Sequence, residues 1–451
     1  MLSAISLGIY EFRKYLVLSL MISLIAIPIC DAMVIQRDRN RNEMYGEGFW
    51  IYGFSIYQMN DRELAEALPP GWGFNDGNHV LPEYLENVNY EYPVFGLVFF
   101  AIATWLYPGT GGLQPLWLNF LLVLVFNLNL VLIAILLREK LYKANWARLF
   151  FGGYFAYGLL MSAGGGKLEP IVDCLLLMAL VLWRENQNGK AMFTLGLSVQ
   201  TKVYTAVAFP LMFIANPLSS VWFIASMAMT VIPVFFGADF GSLISHIFNL
   251  SSYSAYIVNP LYPILGFATP ELVDNVVVSS YAWPPALIPL TIYVFFMLST
   301  IRKYIPEKSE FAGKSLRMKL YTLKPFYLYL LPGVLFIFRW VMPWYLYWLA
   351  PLVVLFERND RARGYLKQVT LVGLLYTLGL VANWPYFWAN PLPQFVEHFP
   401  YGLWTIGGLV LLMLMTALAF LVWKWVFSHQ SRLERKEAER RAAEISGELI
   451  I

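Results

Sequence analysis

Asp31 and Asp38 stand just past the first long apolar run of the chain, and Arg37, Arg39 and Arg41 crowd around the second of them. A carboxylate there can take a proton from a hydroxyl, and guanidinium groups beside it can hold an anion. Lys202 lies in Gln200-Thr201-Lys202-Val203-Tyr204, in the middle of an apolar stretch, and Arg339 lies in Phe338-Arg339-Trp340, near the end of another. Lys167 and Glu169 flank a glycine turn at 164–166, with Asp173 one helical turn further on. Ionisable groups in apolar surroundings are costly and tend to mark functional positions. Each also has a plainer reading. Asp31 reads equally as a solvated interfacial carboxylate, Asp38 as half of a salt bridge within its arginine cluster, and Arg339 as a marker of the interface. Lys202 reads as a lysine whose head snorkels to water. Glu169 either orients a hydroxyl of a bound molecule or pairs with Lys167, and the pair is the expectation.

Other chemistries find no residues to carry them. His79, His246, His398 and His429 are scattered, without HExxH spacing or a cysteine cluster, so no metal is expected. Cys30 and Cys174 both sit in apolar segments and read as packing residues. No Walker A loop is present, which leaves ATP-driven transport without support. The formal net charge of +3 says less than its distribution, and no nucleic-acid partner is expected.

The elements that must position these residues are membrane helices. The chain has 451 residues, 59% of them hydrophobic and 14% charged, with a mean hydropathy of +0.57. A soluble domain runs ~45–50% apolar and ~25% charged. Apolar stretches run roughly over 15–35, 93–107, 115–137, 149–163, 170–183, 191–215, 221–236, 286–301, 325–341, 343–356, 369–383 and 401–427. No strand-length alternation stands out, so the expected fold is all-α, a polytopic bundle of about 10–13 transmembrane helices rather than a β-barrel. The first stretch is too long for the apolar part of a signal peptide and is kept as a span.

Basic residues sort the connections. The segments 138–148, 184–190, 302–324, 357–367 and the tail after 424 are rich in Lys and Arg, which assigns them to the cytoplasm with both termini. The segments 237–285 and 384–400 contain neither, and 31–92 holds four Arg against eleven Asp and Glu, which assigns them to the outer face. For these sides to hold, 93–107 must be a juxtamembrane or re-entrant helix, since at ~22 Å it is short of the ~30 Å core. By the same parity, 191–215 must turn back as two half-helices meeting near Lys202. The expected organisation is one transmembrane domain over 1–427, with a first outer loop at 31–114 carrying juxtamembrane helices and a second at 237–285. A charged cytoplasmic helix is expected over 428–451. One glycosylation sequon, Asn249-Leu250-Ser251, falls on the outer side.

Several short strings then acquire a common meaning. Asp31 or Asp38 follows the first span. Asn89-Tyr90-Glu91-Tyr92-Pro93-Val94 opens the juxtamembrane helix, and Gly166-Lys167-Leu168-Glu169-Pro170 opens an apolar helix. Gln200-Thr201-Lys202-Val203-Tyr204 is followed by Phe209-Pro210-Leu211, and Pro343-Trp344-Tyr345-Leu346-Tyr347-Trp348-Leu349-Ala350-Pro351-Leu352 closes the series. In this order they resemble the GT-C superfamily of glycosyltransferases that use polyprenyl-phosphate or dolichyl-phosphate sugars, mannosyltransferases among them. The sequence departs from that pattern at Val94 and Thr205, where the family carries proline.

The resemblance implies an enzyme that moves a hexose, mannose by preference, from a polyprenyl- or dolichyl-phosphate carrier to a hydroxyl of a glycan or glycolipid acceptor. The reaction inverts the anomeric carbon on the outer or lumenal face of a cell or endoplasmic-reticulum membrane. It needs no cofactor beyond the lipid-phosphate donor. The leaving phosphate is stable as an anion, so one general base suffices, in contrast to the carboxyl pair of a glycosidase. Asp31 or Asp38 is that base; Arg339, Lys202, Arg37, Arg39 and Arg41 are candidates for the donor phosphate. Glu169, Lys167 and Tyr92 are candidates for the sugar or acceptor. The competing expectation is a secondary transporter or a flippase for lipid-linked sugars, for which the sequence lacks the internal repeat.

Overall fold

The computed structural model of the chain describes residues 2–32, 37–75, 80–81, 86–90, 92–106, 114–137, 140–236, 268–273, 276–281, 347–348, 350–354, 363–364, 366–367 and 370. At 2–11, 29–32, 37–38, 106, 114–115, 142, 214–215, 268–273 and 276–281 only the backbone is described. Arg339, the apolar stretches at 286–301, 325–341 and 401–427, the sequon and the 428–451 tail lie outside the described residues.

Helices dominate. They are α1 (Leu2–Ala32), α2 (Arg37–Tyr52), α3 (Asp61–Ala67), α4 (Val94–Leu106), α5 (Gln114–Leu137), α6 (Lys140–Lys143), α7 (Asn145–Leu159), α8 (Glu169–Arg184), α9 (Asn188–Val199), α10 (Phe209–Ala215), α11 (Ser220–Ala228) and α12 (Ala350–Val354). Two helices are long and apolar enough to cross a membrane, Leu116–Leu137 within α5 and Pro217–Phe236, which joins α11 to its flanking 3-10 turns.

α5 is apolar all round, as a helix enclosed by others must be. α1, α7 and α8 pack against it. Phe126 of α5 nests over Gly158 of α7, where an added Cβ would come within 1.8 Å of the ring. Two polar side chains of α5 go to backbone groups of its neighbours. Helix α7 relaxes into a π-turn at Leu160–Gly164, and Asn119 donates to the carbonyls of Ser162 and Ala163 at 2.8 and 3.0 Å. Asn129 donates to the Pro170 carbonyl at 2.7 Å, where α8 begins. In an apolar setting an unpaired carbonyl costs several kcal/mol, so Asn119 supports the π-turn, while Asn129 adds a second donor to a carbonyl inside α8.

The ends of the bundle are chemically distinct. Ser19 bonds Asn127 and Phe12 joins the core around the C-terminal half of α5, so α1 and α5 run antiparallel. Arg184, the last residue of α8, caps the C-terminus of α5 by donating to the Leu136 carbonyl at 2.8 Å. Lys140 and Lys143 bound the short helix α6, and Lys190 lies in the first turn of α9, both at this end. At the other end α2 and α4 lie together, so close that a Cβ on Gly46 would sit 2.5 Å from the Phe100 carbonyl oxygen.

Three sequence expectations meet the backbone directly. The 93–107 stretch is the short helix α4, and 191–215 is broken into α9 and α10 by non-helical Lys202 and the 3-10 segment Val203–Ala208. The all-α expectation needs correction. An antiparallel hairpin stands within residues 237–285, β1 (Ala268–Val273) with β2 (Val276–Tyr281), Ala268 opposite Tyr281 and Val273 opposite Val276. The β-branched run Val276-Val277-Val278 favours extended backbone and was the available signal.

Candidate functional site

The site is built on the turn at 164–168 and the break after α9. Gly166 takes φ +59, a left-handed conformation that glycine adopts without strain. The turn is covered by α2. Asn42 of α2 donates to the Gly166 carbonyl at 2.8 Å, and Arg39 of α2 lies against the glycine itself. Gly166 leaves room for α2, since an added Cβ would sit 2.5 Å from the Arg39 Cβ. The α8 N-terminus also starts opposite Asn129, about two thirds of the way along α5, so the turn is recessed among the helices.

Glu169 is the first residue of α8, with Pro170 behind it, an arrangement suited to the positive end of the helix dipole. Across from it, α9 ends at Val199. The Gln200 carbonyl accepts from Phe95 at the N-terminus of α4 at 3.2 Å, while the Gln200 amide donates to the Ser226 carbonyl at 2.6 Å. These two bonds fix the break. Lys202 then adopts an extended backbone, φ −155 and ψ 126, and projects its ammonium toward Glu169.

Lys202 Nζ donates to Glu169 Oε1 at 2.7 Å. The lysine is 18% exposed and the glutamate 1%, so the lysine is the member of the pair that a ligand can reach. Its ammonium stands over two aromatic faces, 5.3 Å from the Tyr92 ring centroid and 5.0 Å from Trp348. Aromatic faces hold a cation without neutralising it. Glu169 Oε2 is buried and has no hydrogen-bond partner among the described residues. Lys167, in the turn, acts electrostatically on both Glu169 and Lys202. Glu169 therefore pairs with Lys202, across two elements, where the sequence reading has it pairing with Lys167.

The cage walls are themselves anchored. The Tyr92 carbonyl accepts from the Tyr57 hydroxyl at 3.0 Å. Burial pushes that hydroxyl well above its ordinary range, so it remains a donor at physiological pH. Trp348 lies flat on Tyr204, with centroids 4.3 Å apart and planes within 4°.

The arginine cluster divides. Arg39 is buried beside Gly166 and donates to Asn40 at 3.3 Å. Arg41, a candidate for the donor phosphate, is bonded to a carboxylate here. Its Nε and Nη2 donate to Asp61 of α3 at 2.5 and 3.2 Å, with Arg41 side chain 7% exposed and Asp61 fully buried. Tyr45 donates to the same carboxylate at 2.5 Å. Arg41 is thus occupied in joining α2 to α3. Asp31 lies in the last turn of α1, and Asp38 and Arg37 in the first turn of α2, one and two residues ahead of Arg39; their side chains lie outside the described residues. The start of α2 therefore abuts the Gly166 turn, and with it the Lys202 cluster.

Sequence reasoning passes over Asn42, Tyr57 and Tyr154, and leaves Asp173, Tyr204 and Trp348 without roles. The readable signals are modest: Glu169 and Asp173 at i and i+4 on one helix face, and tyrosines at 154 and 157 on another. No protein-family model matches the chain, and no curated protein matches it.

Proposed function

We propose that the chain is a membrane-embedded, inverting glycosyltransferase that takes a hexose, mannose by preference, from a polyprenyl-phosphate or dolichyl-phosphate carrier. The observation that carries the reading is the caged pair of Lys202 and Glu169, with Lys167, Arg39 and the start of α2 drawn around it. A recessed lysine held between two aromatic faces and a carboxylate can meet an anionic headgroup where charge develops.

The membrane setting has its own support. Beyond the two candidate spans, α1 turns Tyr15, Val17, Leu18, Met21 and Ile25 outward, each more than half exposed. Leu218, Phe235 and Phe236 of the Pro217–Phe236 helix are 88%, 82% and 68% exposed. Apolar surface of this extent calls for lipid or another helix. In the polytopic reading, the basic end of the bundle is cytoplasmic and the end bearing α2 and α4 is outer.

In the proposed step, the acceptor hydroxyl oxygen attacks the anomeric carbon and forms the new glycosidic bond. The bond from that carbon to the phosphate oxygen breaks, and the polyprenyl phosphate leaves with the electron pair. Lys202, with Lys167 and Arg39 near, steadies the added negative charge. The hydroxyl proton passes to an aspartate carboxylate, Asp38 or Asp31. Asp38 is the better placed along the chain, being adjacent to Arg39 on the turn. In-line attack inverts the sugar carbon. The break at Lys202 is also a feature of transporters with discontinuous helices, so the test must separate transfer from passage.

The experiment is reconstitution of the full chain in vesicles with radiolabelled polyprenyl-phosphate mannose and a glycolipid acceptor extract. The expected result is labelled product of inverted configuration and one polyprenyl phosphate released per sugar. Loss of transfer in Asp38→Asn or Asp31→Asn names the base. Movement of donor across the bilayer without transfer would favour the flippase, and undiminished transfer in both variants would remove the aspartates from the mechanism.

A further inference from the structure

Asp173 is fully buried on α8, one turn beyond Glu169 and on the same helix face. Both of its oxygens receive tyrosine hydroxyls. Tyr154 of α7 donates to Oδ2 at 2.7 Å, and Tyr204 donates to Oδ1 at 3.1 Å. A carboxylate in an apolar helix is costly, and two hydroxyl donors reduce that cost while fixing the two rings in place. One residue, Val203, separates Tyr204 from Lys202 in the chain, and their side chains meet again through Trp348. The Tyr204 ring is stacked on the indole, and the Lys202 ammonium stands 5.0 Å from the centre of that same indole. Asp173 does not touch Lys202 in any bond described above. It holds the tyrosine that backs the tryptophan that faces the lysine.

We infer that Asp173 is a positioning residue for Lys202, acting through Tyr204 and Trp348, so that α8 supplies both the lysine's direct partner, Glu169, and the remote support of its cage. The inference rests on the proposed role of Lys202 toward a phosphate headgroup. A lysine has a flexible four-carbon stem, and a free ammonium would spread over many rotamers. A wall fixed from behind restricts it to the place where the leaving phosphate arrives, and misplacement of a catalytic cation by an ångström is expensive in rate. Tyr154 binds the other carboxylate oxygen and belongs to the packing of α7, without contact with the Trp348 stack among the ring contacts described. The two tyrosines therefore separate positioning from mere scaffolding.

The test uses the full chain in lipid nanodiscs and reads Lys202 itself: its rate of acetylation by a water-soluble N-hydroxysuccinimide ester, by peptide mass spectrometry. Tyr204→Phe removes one hydroxyl and keeps the ring, so folding is retained even where Asp173→Asn misfolds. Both are expected to raise Lys202 acetylation several-fold, with Tyr154→Phe changing it much less. In transfer assays with polyprenyl-phosphate mannose, Tyr204→Phe is expected to raise KM for the donor more than it lowers kcat. Wild-type acetylation in both Tyr204→Phe and Asp173→Asn would overturn the inference. So would an increase in Tyr154→Phe as large as in Tyr204→Phe, since that pattern is general loosening. Lack of transfer by the wild type would instead count against the glycosyltransferase reading, and the acetylation rates would still decide the positioning role.

Discussion

Asp61→Ala should lower the unfolding free energy of the solubilised protein by about 3–5 kcal/mol, the usual cost of removing one member of a buried ion pair. Asp61 is fully buried, and the Arg41 guanidinium donates to both its oxygens. The substitution also removes the acceptor of the Tyr45 hydroxyl bond. Tyr45 in turn packs on Tyr90 with ring centroids 4.2 Å apart, and Tyr90 on Tyr92, a wall of the Lys202 cage. The damage should therefore spread from α3 to the site. The double variant Arg41→Met, Asp61→Leu should recover most of the lost stability, because no charge is then left stranded in an apolar setting. Chemical denaturation in mixed micelles measures both. A loss below about 1 kcal/mol for Asp61→Ala would place the pair with exposed salt bridges and refute its structural role.

If the chain carries out the proposed sugar transfer, Gly166→Ala should reduce it by about 10²-fold, the penalty for an ångström-scale displacement of catalytic groups. An alanine there must occupy φ +59, and its Cβ would come within 2.5 Å of the Arg39 Cβ and 2.9 Å of the Arg39 Cα. The left-handed conformation alone costs roughly 1–2 kcal/mol. Backbone cannot yield as a side-chain tip can, so the first turn of α2 must move away from the glycine turn, and Asp38 and Arg39 move with it. Gly152→Ala is the matched control. Nothing lies within 4 Å of the Cβ it would add, so neither transfer nor stability should fall. Equal activity of Gly166→Ala and the wild type would separate α2 from the site.

The sequence carries the local part of this structure. The unbroken apolar run of α5 announces a helix that crosses or fills a membrane, and the shortness of 93–107 announces α4. A lysine between Gln200-Thr201 and a proline two turns later announces the break in 191–215. Each is a statement about neighbours in the chain. The partners that give the site its chemistry are far apart in sequence. Glu169 and Lys202 are 33 residues apart, and Arg41 and Asp61 are 20 apart. Periodicity names a face for each residue and does not pair the faces. The Arg37, Arg39 and Arg41 cluster reads as one basic patch, yet alternate residues on a helix point in different directions. Arg41 consequently meets Asp61 while Arg39 meets Gly166. Glycines at 164–166 read only as a turn ahead of an apolar helix, and the missing side chain at Gly166 is what allows α2 to lie against it.

The account stands on Lys202 as the cation that reads an anionic lipid headgroup. The most direct measurement compares binding of undecaprenyl phosphate and of undecaprenol to the purified full chain by native mass spectrometry, for the wild type and for Lys202→Met. The account predicts that the wild type prefers the phosphate strongly and that Lys202→Met loses at least about tenfold in phosphate affinity, roughly 1.4 kcal/mol, with undecaprenol binding little changed. Equal binding of the two lipids by the wild type, or undiminished phosphate binding by Lys202→Met, would contradict it.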